Sequence, residues 1–258
     1  PLDVLHAPAS YIPPRHSARR VITVYDLYFR QAPLDVEPYG GGYFLKTFER
    51  GLPAVDHIIT ISEFTRGELL HFYPLDPARI SVIPLGVDLG RFSAQPDPGD
   101  NQQLEALGVK PPYLLCVATI EPRKNLITLI EAYARAREIL RAASQQSPPL
   151  VIAGQPAWGR PALEARLKEA RLGDAVKLTG YLPDEALPAL YRKAMGFVLP
   201  SIHEGFGMPI LEAMACGCPV AVSRAAAMPE VAGDAALYLN PRDSQGMARS
   251  LVTFISEP

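Results

Sequence analysis

The chain alternates short apolar runs with longer amphipathic segments along most of its length. In the first part, apolar runs typical of buried β-strands occur at 2–7, 21–26, 56–61 and 79–83. Segments with helical periodicity lie at 43–54 and 62–73, and Ser62 is placed to cap the second of them. Strands that alternate with helices in this way predict parallel α/β units.

A polar segment rich in proline, aspartate and glutamine, FSAQPDPGDNQQ at 92–103, interrupts the alternation. Such a composition is typical of linkers. The sequence therefore predicts a first domain over residues 1–95, a linker over 96–110 and a second domain over 111–258. Because a strand starts at once and the last residues still have a helical pattern, the chain is expected to be a fragment cut at both ends.

The second domain is predicted to contain six strands connected by helices. The strands are expected at 113–119, 150–154, 175–180, 195–200, 219–223 and 235–239. The helices are expected near 122–140, 159–171, 183–193, 208–216 and from 243 onward. This pattern predicts a doubly wound α/β domain with a parallel sheet.

Two unusual segments should meet at one edge of that sheet. In the commonest strand order, 3-2-1-4-5-6, the first and fourth strands are neighbours, and ligands bind between their carboxyl ends. TIEPRKNL (119–126) follows the first strand, and PSIHEGFGMPILE (200–212) follows the fourth. We therefore expect both segments to line a ligand pocket.

Composition narrows the functional classes. The formal net charge of −2 gives no electrostatic case for binding nucleic acid. No apolar run reaches the roughly 18 residues that a membrane-spanning helix needs. Cys116, Cys216 and Cys218 are expected to be small buried residues of a protein in the reducing cytoplasm, and a metal contact by the last two stays open as an alternative.

The two segments carry chemistry that suits a diphosphate. Arg123 and Lys124 fall in the first turn of a predicted helix, where the helix dipole favours anions over cations. Gly205 and Gly207 permit close backbone approach, and Pro209 suits the first turn of the next helix. An arginine fork, a lysine charge and exposed amides together favour a phosphate ligand. The alternative is a solvated helix start and an ordinary tight turn.

Two carboxylates flank these glycines. Glu212 lies inside the predicted helix, where a carboxylate can accept hydrogen bonds from both hydroxyls of a ribose. Glu204 lies on the loop before it, at the other side of the phosphate position, where the hydroxyls of a sugar ring would suit it. We predict one carboxylate for the nucleoside end of the ligand and one for its sugar end.

These segments resemble those of a known family. EGFGMPILE (204–212), IEPRKNLITLIEAY (120–133), VKLTGYLPDEALPALYRKA (176–194) and CGCPVAVS (216–223) are similar to the signature of retaining glycosyltransferase family 4, and ITISEFTRGELL (59–70) and ISVIPLGVD (80–88) are similar to its late amino-terminal strands. The resemblance implies the GT-B fold, in which two Rossmann-like doubly wound parallel-sheet domains face a cleft, with the amino-terminal domain incomplete here.

The resemblance also implies an activity. It predicts transfer of a hexose, with retention, from a nucleoside diphosphate sugar to a glycan or a lipid-linked acceptor. The mannosyltransferase-like branch is the most similar around TIEPRKNL, so the expected donor is GDP-mannose. No cofactor and no metal are expected, because a cation pair can stabilise the departing diphosphate.

Site roles follow from the resemblance, position by position. Arg123 and Lys124 would stabilise the leaving group, Glu204 would contact the donor sugar and Glu212 the ribose. The remaining donor contacts would come from the motif backbone and from residues near the nucleobase: Gly205, Phe206, Gly207, Met208 and Pro209, then Tyr181 and Leu182.

The acceptor side departs from the family pattern. Tyr25-Asp26 stands where many relatives carry His-Asp, and a tyrosine cannot supply the proton chemistry of histidine at neutral pH. Tyr25 and Asp26 are candidates for contact with a sugar, with packing as an equal alternative for Tyr25. His6 is a candidate acceptor contact, although a structural histidine is the favoured interpretation.

Three further points stay open. Arg15, Arg19 and Arg20 either face anionic lipid, which would place a cytoplasmic enzyme at the inner membrane surface, or solvate a loop. An epimerase acting on nucleotide sugars is one alternative function. A non-catalytic nucleotide-sugar-binding protein is the other, and the departure at Tyr25 keeps it open.

Overall fold

The structure is a computed structural model that describes residues 2–13, 17–32 and 41–257. The chain divides into two compact units. The first unit contains the residues up to Gly86 together with the short segment His203–Phe206, and the second contains Val87–Ile202 and the residues from Gly207 onward. The chain thus changes unit within the segment that carries Glu204.

The first unit contains a four-stranded parallel sheet of order β1-β2-β3-β4. Its described elements are β1 (Val4–Ala7), β2 (Arg19–Val24), α1 (Tyr28–Gln31), α2 (Gly41–Gly51), a 3₁₀ turn (Leu52–Ala54), β3 (His57–Thr60), α3 (Glu63–Phe72), a 3₁₀ turn (Pro77–Arg79) and β4 (Ile80–Val82). All four strands overlap predicted apolar runs, and β2 starts two residues before the run predicted at 21–26. Their buried side chains, such as Ile22 and Ile58, pack against the helices to form the core.

Local chemistry sets the helix ends of this unit. The helix predicted at 43–54 stops at Gly51, because Pro53 cannot donate the next backbone hydrogen bond and a 3₁₀ turn follows. The predicted cap at Ser62 is confirmed, since the Ser62 hydroxyl accepts a hydrogen bond from the backbone N–H of Thr65 at 3.0 Å.

The second unit contains a six-stranded parallel sheet of order β10-β9-β8-β5-β6-β7. Its strands are β5 (Leu114–Val117), β6 (Leu150–Ala153), β7 (Val176–Gly180), β8 (Gly196–Leu199), β9 (Val220–Ser223) and β10 (Ala236–Leu239). Counted within this unit, the order is 3-2-1-4-5-6, as predicted. The first and fourth strands, β5 and β8, are therefore hydrogen-bonded neighbours.

Helices cover both faces of this sheet. They are α4 (Asp100–Ala106), α5 (Leu126–Ala142), α6 (Arg160–Glu169), α7 (Leu187–Lys193), α8 (Met208–Ala215), α9 (Met228–Ala232) and α10 (Ser244–Ser256), with 3₁₀ turns at Pro122–Lys124, Gly173–Ala175 and Asp184–Ala186. One core lies under α5 and α10 and includes Tyr133 and Leu251. The other lies under α7 and α8 and includes Tyr191 and Ile210.

The segment predicted as a linker, 96–110, contains helix α4 in the structure. Asp100 at its start is buried, and its carboxylate accepts a hydrogen bond from the guanidinium of Arg192 on α7, with Nε–Oδ2 at 2.9 Å. This hydrogen bond lowers the pKa of Asp100. Polar composition suggested a linker, but the acidic residue is instead the anchor that joins α4 to α7.

Two general features complete the fold. Cys116, Cys216 and Cys218 are free thiols and are buried, as expected. In the described ranges, no helix combines the length and the apolar character that crossing a bilayer requires.

Candidate functional site

A cleft opens in the second unit at the carboxyl ends of β5, β6 and β7. Its volume is about 290 Å³. It is lined by Val117, Ala118, Thr119, Lys124, Ala153, Gly154, Gln155, Tyr181, Leu182, Leu187 and Pro209. Four residues predicted to contact the ligand, Lys124, Tyr181, Leu182 and Pro209, are thus brought together. Larger cavities, of about 640 and 680 Å³, lie elsewhere and include none of the predicted site residues.

The floor of the cleft requires a glycine. A Cβ atom at Gly154 would overlap the carbonyl oxygen of Ala118, and the residue has a φ of +151°. Gly154 also donates its N–H to the carbonyl of Gly180 at 2.9 Å. Because no side chain fits here, the ends of β5 and β6 approach closely and leave the floor to backbone atoms.

The turn that carries Arg123 and Lys124 differs from the prediction. Both residues lie in the 3₁₀ turn Pro122–Lys124, ahead of α5, and not in the first turn of that helix. Asn125, with φ of +58°, adopts the left-handed conformation and separates the turn from the helix. The prediction that the two cations lie in the first turn of a helix, where its dipole opposes them, is therefore wrong.

The two cations have different surroundings. Lys124 is buried and lines the cleft. The Arg123 Nε atom lies 2.7 Å from Oε1 of Glu121, and the side chains are 20% and 10% exposed respectively. Arg123 is thus held by a carboxylate that the sequence did not single out.

The side chain of Asn125 fixes this turn against the neighbouring strand. Its Nδ2 donates to the carbonyls of Pro200, at 3.0 Å, and Pro241, at 2.8 Å, and its Oδ1 accepts from the Thr128 hydroxyl at 2.7 Å. The backbone N–H of Ile202 also donates to the carbonyl of Arg123 at 2.8 Å. The predicted approach of the 119–126 and 200–212 segments across adjacent strands is confirmed.

We expect Asn125→Asp to lower the free energy of unfolding of this chain by about 2–4 kcal/mol. The substitution keeps the shape and the tolerance of the left-handed conformation, but it turns a donor that serves two carbonyls into an acceptor that faces them. Chemical denaturation measures the loss. The matched control is Asn101→Asp, which makes the same change at an exposed position of α4. Equal stability of the two variants would contradict the proposed clamp.

The start of α8 is formed by the glycine-rich motif. Gly207 has a φ of +104°, and its carbonyl accepts the N–H of Ile210 at 2.8 Å. Met208 and Pro209 begin the helix, and Pro209 reaches the cleft wall. The prediction of a glycine turn followed by a proline in the first helical turn is confirmed. The backbone of that turn lies at the positive end of the helix dipole.

Glu212 lies one turn further along α8 and is half-buried. Its Oε2 accepts a hydrogen bond from the Tyr191 hydroxyl at 2.9 Å. Burial raises the pKa of the Tyr191 phenol well above its ordinary value, and the Glu212 charge raises it further. The phenol therefore stays protonated and acts as the donor.

The loop that carries Glu204 belongs to the first unit by its contacts. Glu204 and Phe206 are buried, and a Cβ atom at Gly205 would overlap the carbonyl oxygen of Tyr25. The Asp26 carboxylate accepts the backbone N–H of Tyr28 at 3.1 Å. The structure thus brings the Tyr25-Asp26 segment, the candidate acceptor contact, next to the Gly205 backbone.

His203, which the sequence interpretation left without a role, holds this loop. Its Nε2 lies 3.1 Å and 3.3 Å from the two carboxylate oxygens of Glu68 on α3, and both side chains are buried. The imidazole also packs against the rings of Tyr28 and Phe64. Glu68 is in addition hydrogen-bonded by Gln31.

The other residues considered from the sequence have local partners. The His6 Nε2 lies 3.0 Å from the Thr23 hydroxyl on the neighbouring strand, which agrees with the favoured structural interpretation. Arg19 pairs with Asp56 at 2.9 Å, and Arg20 donates to the carbonyl of Ala54. Arg15 lies outside the described residues.

The fold and the cleft define a class of protein. A doubly wound parallel sheet of this order binds its ligand at the carboxyl ends of the central strands. Here that position holds a buried lysine, a glycine floor and the start of a helix that follows two glycines. These features define a doubly wound α/β domain with a ligand cleft at the carboxyl ends of its strands.

Comparison with known families gives the narrower assignment. The family described as glycosyl transferases group 1 matches residues 100–258, and the family described as Glycosyltransferase Family 4 matches residues 1–91. The chain therefore belongs to the group 1 glycosyltransferases, and its fold is GT-B, as the sequence resemblance implied.

Individual relatives agree with this assignment. The chain is 33% identical to the O-antigen chain mannosyltransferase B of Escherichia coli over 258 residues, which cover 98% of this chain and 65% of that protein. The sucrose-phosphate synthase of Thermosynechococcus elongatus superposes with a TM-score of 0.80 at 22% identity, over 99% of this chain and 65% of that structure. HepE of Anabaena, in complex with UDP and glucose, gives a TM-score of 0.73 at 20% identity, over 93% and 62%. The chain thus spans about two thirds of the length of these proteins.

Proposed function

We propose that the protein of which this chain is part transfers a hexose from a nucleoside diphosphate sugar to a glycan or a lipid-linked acceptor. The observation that carries the proposal is the cleft of the second unit, where buried Lys124 lies with Tyr181, Leu182 and Pro209 at the carboxyl ends of the strands. The proposed donor is GDP-mannose. The 33% identity to the O-antigen chain mannosyltransferase B of Escherichia coli supports mannose as the transferred sugar.

We assign the donor contacts as the motif suggests. Lys124, on the cleft wall, and Arg123 neutralise the diphosphate. Glu212 binds the ribose, and Tyr181 and Leu182 lie at the nucleobase. The backbone from Gly205 to Met208 contacts the phosphate and sugar, and Glu204 contacts the donor sugar. Support comes from the burial of Lys124 and Leu182 and from the start of α8, where the positive end of the helix dipole follows the glycine motif.

The proposed mechanism is transfer with retention by front-face displacement. The bond from the anomeric carbon to the diphosphate oxygen breaks, and the acceptor hydroxyl oxygen bonds to that carbon from the same face. The acceptor proton passes to the departing phosphate oxygen. Preorganised cations stabilise the charge that develops on the leaving group, which lowers the barrier without a nucleophile from the protein.

The experiment that tests this function uses the full-length protein. Calorimetry with a panel of GDP, UDP and ADP sugars identifies the donor, and turnover of the labelled donor with and without acceptor identifies the reaction. Transfer to an acceptor supports the proposal. Isomerisation of the donor sugar without transfer would establish an epimerase, and binding without turnover would establish a non-catalytic binding protein.

We also expect transfer to be independent of metal ions. Lys124 and Arg123, the latter paired with Glu121, place cationic side chains at the proposed diphosphate position, and we expect them to stabilise the leaving group without a divalent cation. The transfer rate of the full-length protein, measured before and after treatment with excess EDTA, should stay within about twofold. A rate that falls with EDTA and returns with magnesium or manganese would contradict this expectation.

The proposed site of action is the cytoplasmic face of the inner membrane, where the protein would bind peripherally. Exposed Tyr11 and Tyr43 in the first unit suit a membrane interface, where aromatic side chains are enriched. Fractionation of cells between the membrane and soluble pools, before and after a high-salt wash, tests this location.

A further inference from the structure

The cleft wall is built from two helices that are connected by a partly buried side-chain hydrogen bond. Leu187 on α7 and Pro209 on α8 both line the cleft. Tyr191 follows Leu187 by four residues, and Glu212 follows Pro209 by three. Each therefore lies about one turn further along its helix than the residue that lines the cleft, on the same side of that helix. The Tyr191 hydroxyl donates to Oε2 of Glu212 at 2.9 Å.

The two partners differ in how firmly they are held. Tyr191 is fully buried, and its ring packs edge-to-face against Phe92 and Phe197, which fixes the position of its hydroxyl. Glu212 is half-buried, and the last torsion of a glutamate side chain has a broad energy profile. The Tyr191 hydroxyl, as a fixed donor, restricts the orientation of this carboxylate.

We propose that Tyr191 is a positioning residue that orients the Glu212 carboxylate toward the two hydroxyls of the donor ribose. This inference rests on the proposed function, because it takes Glu212 as the ribose contact. The phenol occupies one acceptor position of Oε2. The ribose hydroxyls donate to other lone pairs of the same carboxylate. Tyr191 itself touches no part of the donor.

The test compares nucleotides that do and do not carry the ribose hydroxyls. Tyr191→Phe removes the hydroxyl and keeps the ring. The probes are GDP or UDP, whichever the donor panel selects, and its 2′,3′-dideoxy analogue, with affinities measured by calorimetry on the full-length protein. We expect the variant to bind the ribonucleotide about five- to tenfold more weakly and the dideoxy analogue with unchanged affinity. In a Glu212→Ala background, the same substitution should change neither affinity.

The matched control is Tyr113→Phe. Tyr113 is also fully buried in this unit, and its hydroxyl donates to the carbonyl of Leu190, next to Tyr191, at 2.8 Å. Its loss removes a hydrogen bond from another buried tyrosine hydroxyl without involving Glu212. We expect the control to lower the Tm as Tyr191→Phe does, with the ratio of the two nucleotide affinities unchanged.

The outcomes separate the inference from the function on which it rests. An equal loss of affinity for both nucleotides in Tyr191→Phe, or the same change of ratio in Tyr113→Phe, would overturn the positioning role. Equal affinities of the parent protein for ribonucleotide and dideoxy analogue would overturn the ribose contact of Glu212. A parent protein that binds no nucleoside diphosphate would overturn the proposed function itself.

Discussion

Replacing Arg123 and Lys124 together by alanine is expected to weaken nucleoside diphosphate binding by about a hundredfold or more. A hydrogen bond between charged groups contributes about 1.5–3 kcal/mol, and two such contacts are lost. Lys124 is buried on the cleft wall, so water cannot fully replace its charge. Calorimetric titration with the nucleoside diphosphate measures the change.

The control for this variant is Arg166→Ala/Lys168→Ala. It removes the same two charges from α6 of the same unit, at positions that do not line the cleft. The control should bind the nucleotide as the parent does. Parental affinity in the Arg123/Lys124 double variant would contradict the assignment of the leaving-group site.

The ion pair between Arg123 and Glu121 allows a second comparison. In Arg123→Ala, the 10%-exposed Glu121 carboxylate loses the guanidinium that lies 2.7 Å away. A less neutralised carboxylate beside a phosphate site repels the ligand. The single variant should therefore bind the nucleotide more weakly than Arg123→Ala/Glu121→Gln does. Equal affinities would indicate that Glu121 does not influence the diphosphate position.

The second large effect is expected to separate the two glutamates. Glu212→Gln should weaken nucleoside diphosphate binding about tenfold to a hundredfold, because a charged acceptor of ribose hydroxyls becomes neutral. This contact is similar in the ground and transition states, so turnover at saturation should change little. Glu204→Gln should leave nucleotide affinity unchanged and lower turnover, since its contact strengthens as charge develops on the sugar.

Each substitution keeps the shape of the side chain and removes its charge, so the two variants control for one another. The measurements are the nucleotide affinity and the transfer rate at saturating donor, each determined for both variants and compared with the parent. If affinity falls in the Glu204 variant and turnover falls in the Glu212 variant, the motif lies in the opposite direction along the donor. Thermal unfolding of both variants separates these effects from a loss of fold.

Much of the fold could be predicted from periodicity alone. The central strands of the second unit, such as β5, β6 and β8, are continuous apolar runs, because parallel strands are buried on both faces, and the helices between the strands constrain the order of the sheet. That order placed the Arg123 turn beside the loop after β8. The helix predicted to start near residue 122 starts at Leu126 instead. The left-handed conformation of Asn125 delays its start, and the pattern of hydrophobic residues does not reveal such a conformation.

The side-chain contacts around the site were harder to predict from the sequence than the fold was. Tyr191 and Glu212 meet only because α7 and α8 have the rotation and spacing that packing gives them. Glu68 and His203 are 135 residues apart, and neither lies in a local pattern that signals the other. Glu121 was detectable in principle, since a carboxylate two residues before an arginine in a turn can reach it.

The glycine floor of the cleft has a consequence for protein engineering. Position 154 admits no side chain, so the floor beneath the proposed nucleotide position cannot be varied to choose between bases. The surrounding rim is different, because Gln155 and Tyr181 are exposed and free to vary without disturbing the sheet. A library that aims to change donor preference should therefore diversify the rim and leave the strand ends untouched.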